Sequence, residues 1–387
     1  MTARLLRLLV VLGTRPEVIK LAPVIAQLRR DRSRFRVRIC VTAQHRQMLD
    51  QVLPAFGIVP DIDLDLMREG QEPLELGVAV IGAMRAVLRK EKPDAVIVQG
   101  DTTTAFAAAL SAFYLKVPVA HVEAGLRTHD RSFPFPEEIN RRLVSVLADF
   151  HFAPTSGARQ NLLDCGVRGE TVWITGNTVI DALGMMRRRL QSPRARRRWL
   201  DYFRDAWELE LDDDGTPVIL VTGHRRESFG RPLRQICLAL RDIACSDPQL
   251  RLVYPLHLNP NVRGPVHAML RGVANIRLIE PLAYEPFVFL MERARLILTD
   301  SGGIQEEAPA LGRPVLVMRR ETERPEGVLA GGVELVGTGR QAIASRVLEL
   351  LADREAYRRM ARVASPYGDG RAAQRIVAVL ARGLRRA

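Results

Sequence analysis

Ser301, Gly302 and Gly303 stand between an apolar run and a helical run, where residues of these types can bind phosphate. Leu296 to Thr299 predict a short buried strand, and a helical pattern begins at Ile304. Two glycines at a helix start leave backbone N–H groups uncovered at the positive end of the helix dipole. Glu307, one turn further along, faces the same side and can accept hydrogen bonds from paired sugar hydroxyls. These residues predict a nucleotide or nucleotide-sugar site; for an isolated Ser-Gly-Gly the alternative is a tight turn.

Three carboxylates in the first half of the chain follow predicted strands or begin a helix. Asp101 comes directly after the apolar run DAVIVQ, where an unpaired buried carboxylate would be costly, and Glu123 follows VPVAHV. Glu137 follows Pro136 at a predicted helix start, where the dipole favours acids, so a structural role is the alternative for it and for Glu138. Carboxylates brought to one edge by separate segments nevertheless indicate acid–base chemistry.

Cationic side chains follow the first strand of each half. Arg15 and Lys20 lie near a helix start and could bind an anion, although alone such residues are more commonly surface charges. His224 in GHRRES occupies the corresponding position in the second half, and Arg324 follows the strand PVLVM. We predict that the second half holds a nucleotide and its phosphates, while the first supplies the carboxylates with Arg15 and Lys20.

Repeating strand–helix units must position these groups. The apolar runs LRLLVVL, RVRICV, DAVIVQ and VPVAHV each precede a polar break, and PVILVT, RLVYPL, NIRLIEPL and LILTD repeat the pattern. Such alternation predicts parallel sheets wrapped by helices, with chemistry beyond the carboxyl ends of the strands. The predicted fold is α/β with two doubly wound domains, residues 1–178 joined by a C-terminal helix at 370–387, and residues 179–369.

The bulk properties are those of a globular protein. A length of 387 residues favours two domains, and 47% hydrophobic with 26% charged residues is an ordinary balance. The formal charge of +13 arises largely from arginine-rich runs, but with 5% aromatic residues these read as solvated helix faces rather than a nucleic-acid surface. No apolar run could span a bilayer, and the N-terminal apolar run reads as a strand rather than a signal peptide. Four cysteines lack metal-ligand spacing, so we expect a cytoplasmic protein without a metal site.

Motifs along nearly the whole chain carry a family resemblance. In chain order they are GTRPEVIKLAPVI, TAQHRQMLDQVL, GDTTTAFAAALSAFY, HVEAGLRT, FPEEINRR, ITGNTVIDAL, VTGHRRESFG, YPLHLNPNV, LTDSGGIQEEAPALGRPVLVMR, TERPEG and SPYGDG. Each is weak alone, but together, in this order and at these separations, they are specific. The sequence resembles the non-hydrolysing UDP-N-acetylglucosamine 2-epimerases.

This resemblance implies a GT-B-like fold of two Rossmann-like domains with the site between them, and a homodimer. It implies interconversion of UDP-N-acetylglucosamine and UDP-N-acetylmannosamine for envelope or capsular polysaccharide, without nucleic-acid or membrane partners. In that family a base removes the proton on carbon 2 while UDP leaves carbon 1, giving 2-acetamidoglucal. Reprotonation on the other face and re-addition of UDP complete the inversion. No cofactor is implied, in keeping with the missing GxGxxG motif.

The resemblance also implies roles for individual residues. Asp101, Glu123 and Glu137 would form the acid–base group, with Asp101 and Glu137 transferring protons at carbon 2; which acts on which face is left open. His224 with Arg15 would stabilise the departing diphosphate. The implied substrate-binding residues are Arg15, Lys20, Phe287 near the uracil, Ser301, Gly302, Gly303, Glu307 and Arg324. An activating second UDP-N-acetylglucosamine, common in bacterial members, would bind through Gln44, His45, Gln47 and His257.

Two other functions are compatible with parts of the sequence. A GT-B glycosyltransferase would use the same nucleotide site but would not need three acids at one edge. A nucleotide-sugar sensor or a basic nucleic-acid-binding protein would tolerate the loss of Asp101 and Glu137, and its binding to nucleic acid would weaken steeply with salt.

Overall fold

The computed structural model describes residues 4–43, 46–68, 70–211, 216–223 and 225–385, and only the backbone of residues 46–48 and 226. Among the predicted site residues, Gln44, His45 and His224 therefore lie outside the described residues, as does the side chain of Gln47.

The strands follow the apolar runs of the sequence. They are β1 (Leu6–Leu12), β2 (Phe35–Val41), β3 (Ile62–Asp63), β4 (Ala95–Gln99), β5 (Val119–Val122), β6 (Phe150–Ala153), β7 (Val172–Ile174), β8 (Val218–Thr222), β9 (Arg251–Pro255), β10 (Ile276–Ile279), β11 (Ala294–Thr299), β12 (Val315–Val317) and β13 (Val333–Leu335).

The helices occupy the intervening amphipathic segments. They are α1 (Arg15–Arg30), α2 (Arg46–Val52), α3 (Pro73–Glu91), α4 (Thr103–Tyr114), α5 (Glu137–Leu147), α6 (Ser156–Asp164), α7 (Thr178–Leu190), α8 (Pro193–Trp207), α9 (Arg231–Ser246), α10 (Pro260–Leu270), α11 (Tyr284–Arg293), α12 (Gly302–Ala310), α13 (Pro325–Ala330), α14 (Arg340–Ala352), α15 (Arg354–Ala361) and α16 (Ala372–Gly383).

Two parallel sheets organise these elements. The first has the order β3-β2-β1-β4-β5-β6-β7 and the second has the order β10-β9-β8-β11-β12-β13. Each is a doubly wound sheet in which the strand order reverses beside its first strand, between β1 and β4 and between β8 and β11. The predicted α/β class with two doubly wound domains is confirmed.

The chain divides into two compact units. Unit 1 comprises Met1–Ala182 with Tyr367–Ala387, and unit 2 comprises Leu183–Pro366. These divisions lie a few residues from the predicted boundaries at 178/179 and 369/370. Within unit 1, α16 packs against α1, and Asp181 accepts hydrogen bonds from the backbone of Ala372 and Ala373 at the start of α16.

Local sequence explains where the first helix begins. Thr14 is the N-cap of α1, Pro16 lies in its first turn, and Glu17 closes a capping box. Arg29 and Arg30 lie in the last turn, where they favourably oppose the negative end of the helix dipole. The carboxyl end of β1 and the start of α1 are thereby held in a defined turn.

No helix in the described part of the chain is long and apolar enough to cross a membrane.

Candidate functional site

The turn between β1 and α1 is tied to the turn between β4 and α4 by one buried carboxylate. Glu17 accepts hydrogen bonds from the backbone N–H groups of Gly13 (2.9 Å) and Thr14 (2.6 Å). Its other oxygen accepts from the hydroxyl of Thr102 (2.8 Å), the N-cap of α4. Glu17 therefore fixes the segment bearing Arg15 and Lys20 relative to the segment bearing Asp101.

Burial raises the pKa of Glu17 from 4.5 to about 7, against the opposing effect of its hydrogen bonds from Thr102, Thr14 and Gly13. Between these two values the folded chain binds more protons than the unfolded chain, so the free energy of unfolding falls as pH rises through the window. We expect Glu17→Gln to remove this pH-dependent contribution of about 3 kcal/mol to the free energy of unfolding. The stability of the variant relative to the wild type should therefore be higher at pH 8 than at pH 5.

Urea unfolding at the two pH values measures this difference. The matched control is Glu75→Gln, which removes the glutamate of a second capping box, on the exposed start of α3. An effect of Glu17→Gln that is equal at both pH values would contradict the prediction.

Glu123 directly follows β5 and is held by three donors. Its backbone has a positive φ of 63°, and its buried carboxylate forms an ion pair with Lys20 of α1. Gln99 donates to Oε2, and the amide of Asn177 donates to Oε1 at 2.9 Å. The structure thus joins two predicted site residues, Lys20 and Glu123, and the contacts orient Glu123 as a fixed negative charge beside the cation.

Asp101 follows Gly100 at the carboxyl end of β4, the strand beside β1 at the switch point. Arg141 of α5 donates to Oδ2 through Nη2 and through Nε at 3.0 Å, and Asn140 donates to the backbone carbonyl at 3.0 Å. Oδ1 accepts no hydrogen bond from the described side chains and backbone. The carboxylate is oriented by one oxygen, and the other is available for proton transfer.

Glu137 and Glu138 begin α5, as the sequence predicts, but the two side chains have different environments. Glu137 is partly exposed, whereas Glu138 is fully buried and contacts Arg141, Arg142 and the backbone N–H of Thr128. Burial alone would raise the pKa of Glu138, but the bonds from Thr128 and Arg142 outweigh it and lower the pKa. Glu138 is thus a structural acid, and Glu137 retains access to solvent.

His121 is buried on β5, where its Nε2 contacts the carbonyl of Gly100 at 2.8 Å. Burial lowers its pKa to about 3, against the opposing effect of that carbonyl. The imidazole is therefore neutral at physiological pH and supports the turn that precedes Asp101.

In unit 2 the corresponding switch point lies between β8 and β11. The hydroxyls of Thr222 and Thr299, at the ends of these strands, contact each other at 2.7 Å. Thr299 also accepts from the backbone N–H of Ser301 at 2.9 Å, and buried Asp300 accepts from the backbone N–H of Arg225 at 2.9 Å. The carboxyl ends of β8 and β11 are thereby held together next to the Ser-Gly-Gly turn.

The helix α12 begins at Gly302, two residues earlier than the sequence indicates, and Ser301 is its N-cap. The Ser301 side chain makes no capping hydrogen bond. Arg324 lies against this turn: its Nε donates to buried Glu306 at 2.6 Å. A Cβ atom added at Gly302 would lie 2.8 Å from Nη1 of Arg324. The absence of a side chain at Gly302 therefore leaves room for the guanidinium at the first turn of the helix.

Glu307 is buried one turn into α12, and Tyr284 at the start of α11 donates to its Oε1 at 2.6 Å. Phe287 lies on the same helix as Tyr284 and is partly exposed.

Three arginines surround one carboxylate beside this turn. Glu323 accepts from Arg319 at 2.9 and 3.3 Å, and it lies 3.4 Å from Arg225 and 3.8 Å from Arg324. Burial would raise the pKa of Glu323, but the bonds from Arg319 and the charge of Arg225 outweigh it and lower the pKa to about 2. Glu323 is therefore ionised and lies beside Arg324.

Two further predictions concern residues away from these turns. His257, predicted to bind an activator, lies in an exposed segment after β9, and its Nδ1 accepts from the backbone N–H of Asn259 at 3.1 Å. Among the described residues, no group of three or more His, Cys, Asp or Glu side chains could hold a metal ion.

Comparison with known proteins gives the family. The profile of the family described as UDP-N-acetylglucosamine 2-epimerase matches residues 27–381. The chain belongs to this family. The UDP-N-acetylglucosamine 2-epimerase of Escherichia coli K12 is 53% identical over 375 residues, which cover 97% of the chain and 98% of that protein. The family resemblance inferred from the motifs is confirmed.

Solved structures of 2-epimerases share the fold over nearly the whole chain. The Neisseria meningitidis enzyme, crystallised with UDP-N-acetylglucosamine, has a TM-score of 0.90 at 48% identity and covers 97% of this chain and 99% of its own. The Methanocaldococcus jannaschii enzyme, in complex with UDP-N-acetylglucosamine and UDP, has a TM-score of 0.80 at 32% identity with the same coverage.

The sequence pattern does not indicate several residues of the site. They are Glu17, Gln99, Arg141, Asn177 and Tyr284. A usable signal existed for two of them: Glu17 stands three residues after Thr14 in a capping-box pattern, and Arg141 lies one helical turn after the acids of FPEE. The others contact their partners across distant segments, which spacing within a motif does not indicate.

Proposed function

We propose that this protein interconverts UDP-N-acetylglucosamine and UDP-N-acetylmannosamine by inverting carbon 2 of the sugar. The observation that carries the proposal is the Asp101 carboxylate at the switch point of unit 1, oriented through Oδ2 by Arg141 with Oδ1 available. Membership of the 2-epimerase family over residues 27–381 supports it. The product would supply activated N-acetylmannosamine for envelope or capsular polysaccharide from a cytoplasmic enzyme.

The proposed reaction is an elimination followed by an addition. A carboxylate removes the proton on carbon 2, the bond from carbon 1 to the diphosphate oxygen breaks, and its electron pair leaves with UDP. The double bond between carbons 1 and 2 is that of 2-acetamidoglucal. Protonation of carbon 2 from the opposite face and re-addition of UDP at carbon 1 balance the reaction, so that no oxidant or reductant is consumed.

We assign proton transfer at carbon 2 to Asp101 and Glu137. Glu123 contributes a fixed negative charge that holds Lys20, because both its oxygens are engaged by donors. Arg15 and His224 stabilise the charge that develops on the departing diphosphate, for which preplaced cations are most effective.

Unit 2 is proposed to hold the UDP part of the substrate. The uncapped first turn of α12, with Ser301, Gly302 and Gly303, presents N–H groups suited to a phosphate, and Arg324 adds a cation. Glu307 accepts from the ribose hydroxyls and Phe287 contacts the uracil.

Incubation with UDP-N-acetylglucosamine in deuterium oxide tests the proposed function. We expect the manno sugar to appear and carbon 2 to acquire deuterium in both sugars. NMR measures both changes. Turnover that retains hydrogen at carbon 2 would exclude the elimination. Transfer of the sugar to an acceptor without epimerisation would instead indicate a glycosyltransferase.

We also propose a homodimer formed through unit 1. The helices α3, α4 and α5 pack side by side on one face of its sheet, and their outer surfaces carry large exposed apolar side chains. These are Leu74, Val78, Phe113, Tyr114, Leu143 and Val146. Val146 is 81% exposed and Tyr114 is 73% exposed, and apolar residues grouped in this way favour a protein interface.

The expected result of Val146→Glu is dimer dissociation, with Kd rising about 30-fold because the symmetric interface would bury two unpaired carboxylates. Light scattering coupled to gel filtration over a concentration series measures it. Val59→Glu is the control, since Val59 is 74% exposed in unit 1 but lies outside the three helices. Equal dimer stability in the two variants would contradict this interface.

We further propose activation by a second UDP-N-acetylglucosamine, bound through Gln44, His45, Gln47 and His257. The exposed position of His257 beyond the carboxyl end of β9 supports this role.

A further inference from the structure

Tyr284 and Glu307 form a buried hydrogen bond that the reaction chemistry does not itself require. Tyr284 is 3% exposed and Glu307 is 7% exposed, and the phenol donates to Oε1 of the carboxylate at 2.6 Å. The two residues come from different helices, α11 and α12. A hydrogen bond from a neutral donor to a carboxylate in such a site is among the stronger kinds, and it restricts the carboxylate to one orientation.

The other oxygen of Glu307 is directed toward the glycine turn. A Cβ atom built on Gly303 would lie 3.9 Å from Oε2, so this oxygen faces the segment proposed to bind phosphate. With Oε1 held by Tyr284, the plane of the carboxylate is set relative to the first turn of α12. A ribose attached to a diphosphate at that turn would present its paired hydroxyls to a carboxylate already in position.

The same turn of α11 also carries the residue proposed to contact the base. Tyr284 and Phe287 are three residues apart on one helix, and residues at this spacing lie on the same face. Tyr284 therefore connects the element that contacts the uracil to the carboxylate that binds the ribose.

We propose that Tyr284 is a positioning residue for nucleoside recognition, acting through Glu307 to select a ribose that carries both the 2′- and 3′-hydroxyls. This proposal rests on the proposed function, because it takes UDP as the nucleotide held by unit 2. Because Tyr284 is buried and acts through Glu307, we expect its effect to fall on nucleotide binding rather than on the chemical step.

The test compares the binding of UDP and of 2′,3′-dideoxy-UDP by calorimetry. For Tyr284→Phe we expect UDP to bind about 10-fold more weakly than to the wild type, the loss typical of one hydrogen bond to a charged group. The dideoxy nucleotide, which lacks the hydroxyls that Glu307 accepts from, should bind equally to both proteins. In turnover, KM for UDP-N-acetylglucosamine should rise by a similar factor while kcat stays within about twofold.

Tyr357→Phe is the matched control. Tyr357 is also buried in unit 2, at 7% exposure, and its hydroxyl donates to the backbone carbonyl of Arg295 at 3.0 Å, at the amino end of β11. Loss of the Tyr357 hydroxyl should leave the affinities for UDP and for 2′,3′-dideoxy-UDP unchanged. A further check is Tyr284→Phe in a Glu307→Gln background, where we expect no additional loss of UDP affinity.

Distinct results separate the failure of this proposal from the failure of the proposed function. Equal weakening of UDP and dideoxy-UDP by Tyr284→Phe, or no weakening of either, would overturn the role of Tyr284 alone. If Tyr284→Phe does not fold, the hydroxyl serves the stability of the protein, and this result would also overturn the proposed role of Tyr284. A wild-type protein that does not bind UDP would overturn both.

Discussion

Replacing Asp101 by asparagine is expected to reduce kcat for epimerisation about 1000-fold, in the range by which a positioned acid or base accelerates proton transfer. Asparagine has the shape of aspartate and can still accept from Arg141 through its amide oxygen, so the turn after β4 should keep its geometry. An amide cannot take up the proton from carbon 2. The loss should therefore fall on kcat, while the affinity for UDP, which we propose that unit 2 binds, should remain within about threefold of the wild type.

The matched control for this variant is Asp94→Asn. Asp94 lies at the amino end of the same strand, where it forms an ion pair with Arg4 and accepts from the backbone N–H of Arg7 at 2.7 Å. It shares with Asp101 an arginine partner and the strand β4, but it lies at the opposite edge of the sheet. We expect its replacement to leave kcat within about twofold of the wild type. Equal kcat values for Asp94→Asn and Asp101→Asn would remove Asp101 from the chemistry.

The position of Asp101 was accessible from sequence because it depends on local pattern. Within DAVIVQ, Ala95–Val98 form a continuous apolar run, as expected of a strand buried on both faces, and polar residues that follow shortly after it, such as Asp101, must lie at the carboxyl edge. The same reasoning locates Glu123 after β5 and Ser301 after β11. Pro136 and the acids after it likewise predict the start of α5 at Glu137, where the helix begins.

Contacts between distant segments could not be predicted in this way. Asn177 donates to Glu123 across 54 positions of sequence, and Gln99 does so across 24, from a strand that pairs with β5 in parallel. Such pairs depend on strand register and side-chain direction, which a single sequence does not specify. The sequence analysis gives no strand for β6, because its four residues, FHFA, are too few to show a period and no longer apolar run surrounds them, as VPVAHV surrounds β5.

The sequence predicts a phosphate site at the Ser-Gly-Gly turn, with a tight turn as the alternative, and the backbone and packing around Gly302 bear on why this position is glycine. A tight turn would need glycine for its backbone angles. Gly302 instead lies within α12 and is not among the glycines with positive φ. What the position excludes is a side chain, because a Cβ atom would lie 2.8 Å from Nη1 and 2.9 Å from Cζ of Arg324. The absence of a side chain at Gly302 leaves room for a cation at the helix start, and the phosphate site itself stays a prediction.

Gly302→Ala should therefore weaken UDP binding about 100-fold, since the methyl group displaces Arg324 and costs two or more charge-assisted hydrogen bonds to phosphate. Alanine favours a helix more than glycine does, so we expect thermal stability to be retained or to fall only through the loss of the Arg324–Glu306 pair.

Gly264→Ala in α10 is the control for this substitution, because no atom lies within 4 Å of a Cβ added there. Calorimetry with UDP measures both variants, and the salt dependence of binding adds a second readout. If Arg324 contacts a phosphate, the affinity of the wild type should fall more steeply with salt than that of Gly302→Ala. Unchanged UDP affinity in Gly302→Ala would place the phosphate elsewhere, and would leave the close approach of Arg324 to the glycine as a packing contact.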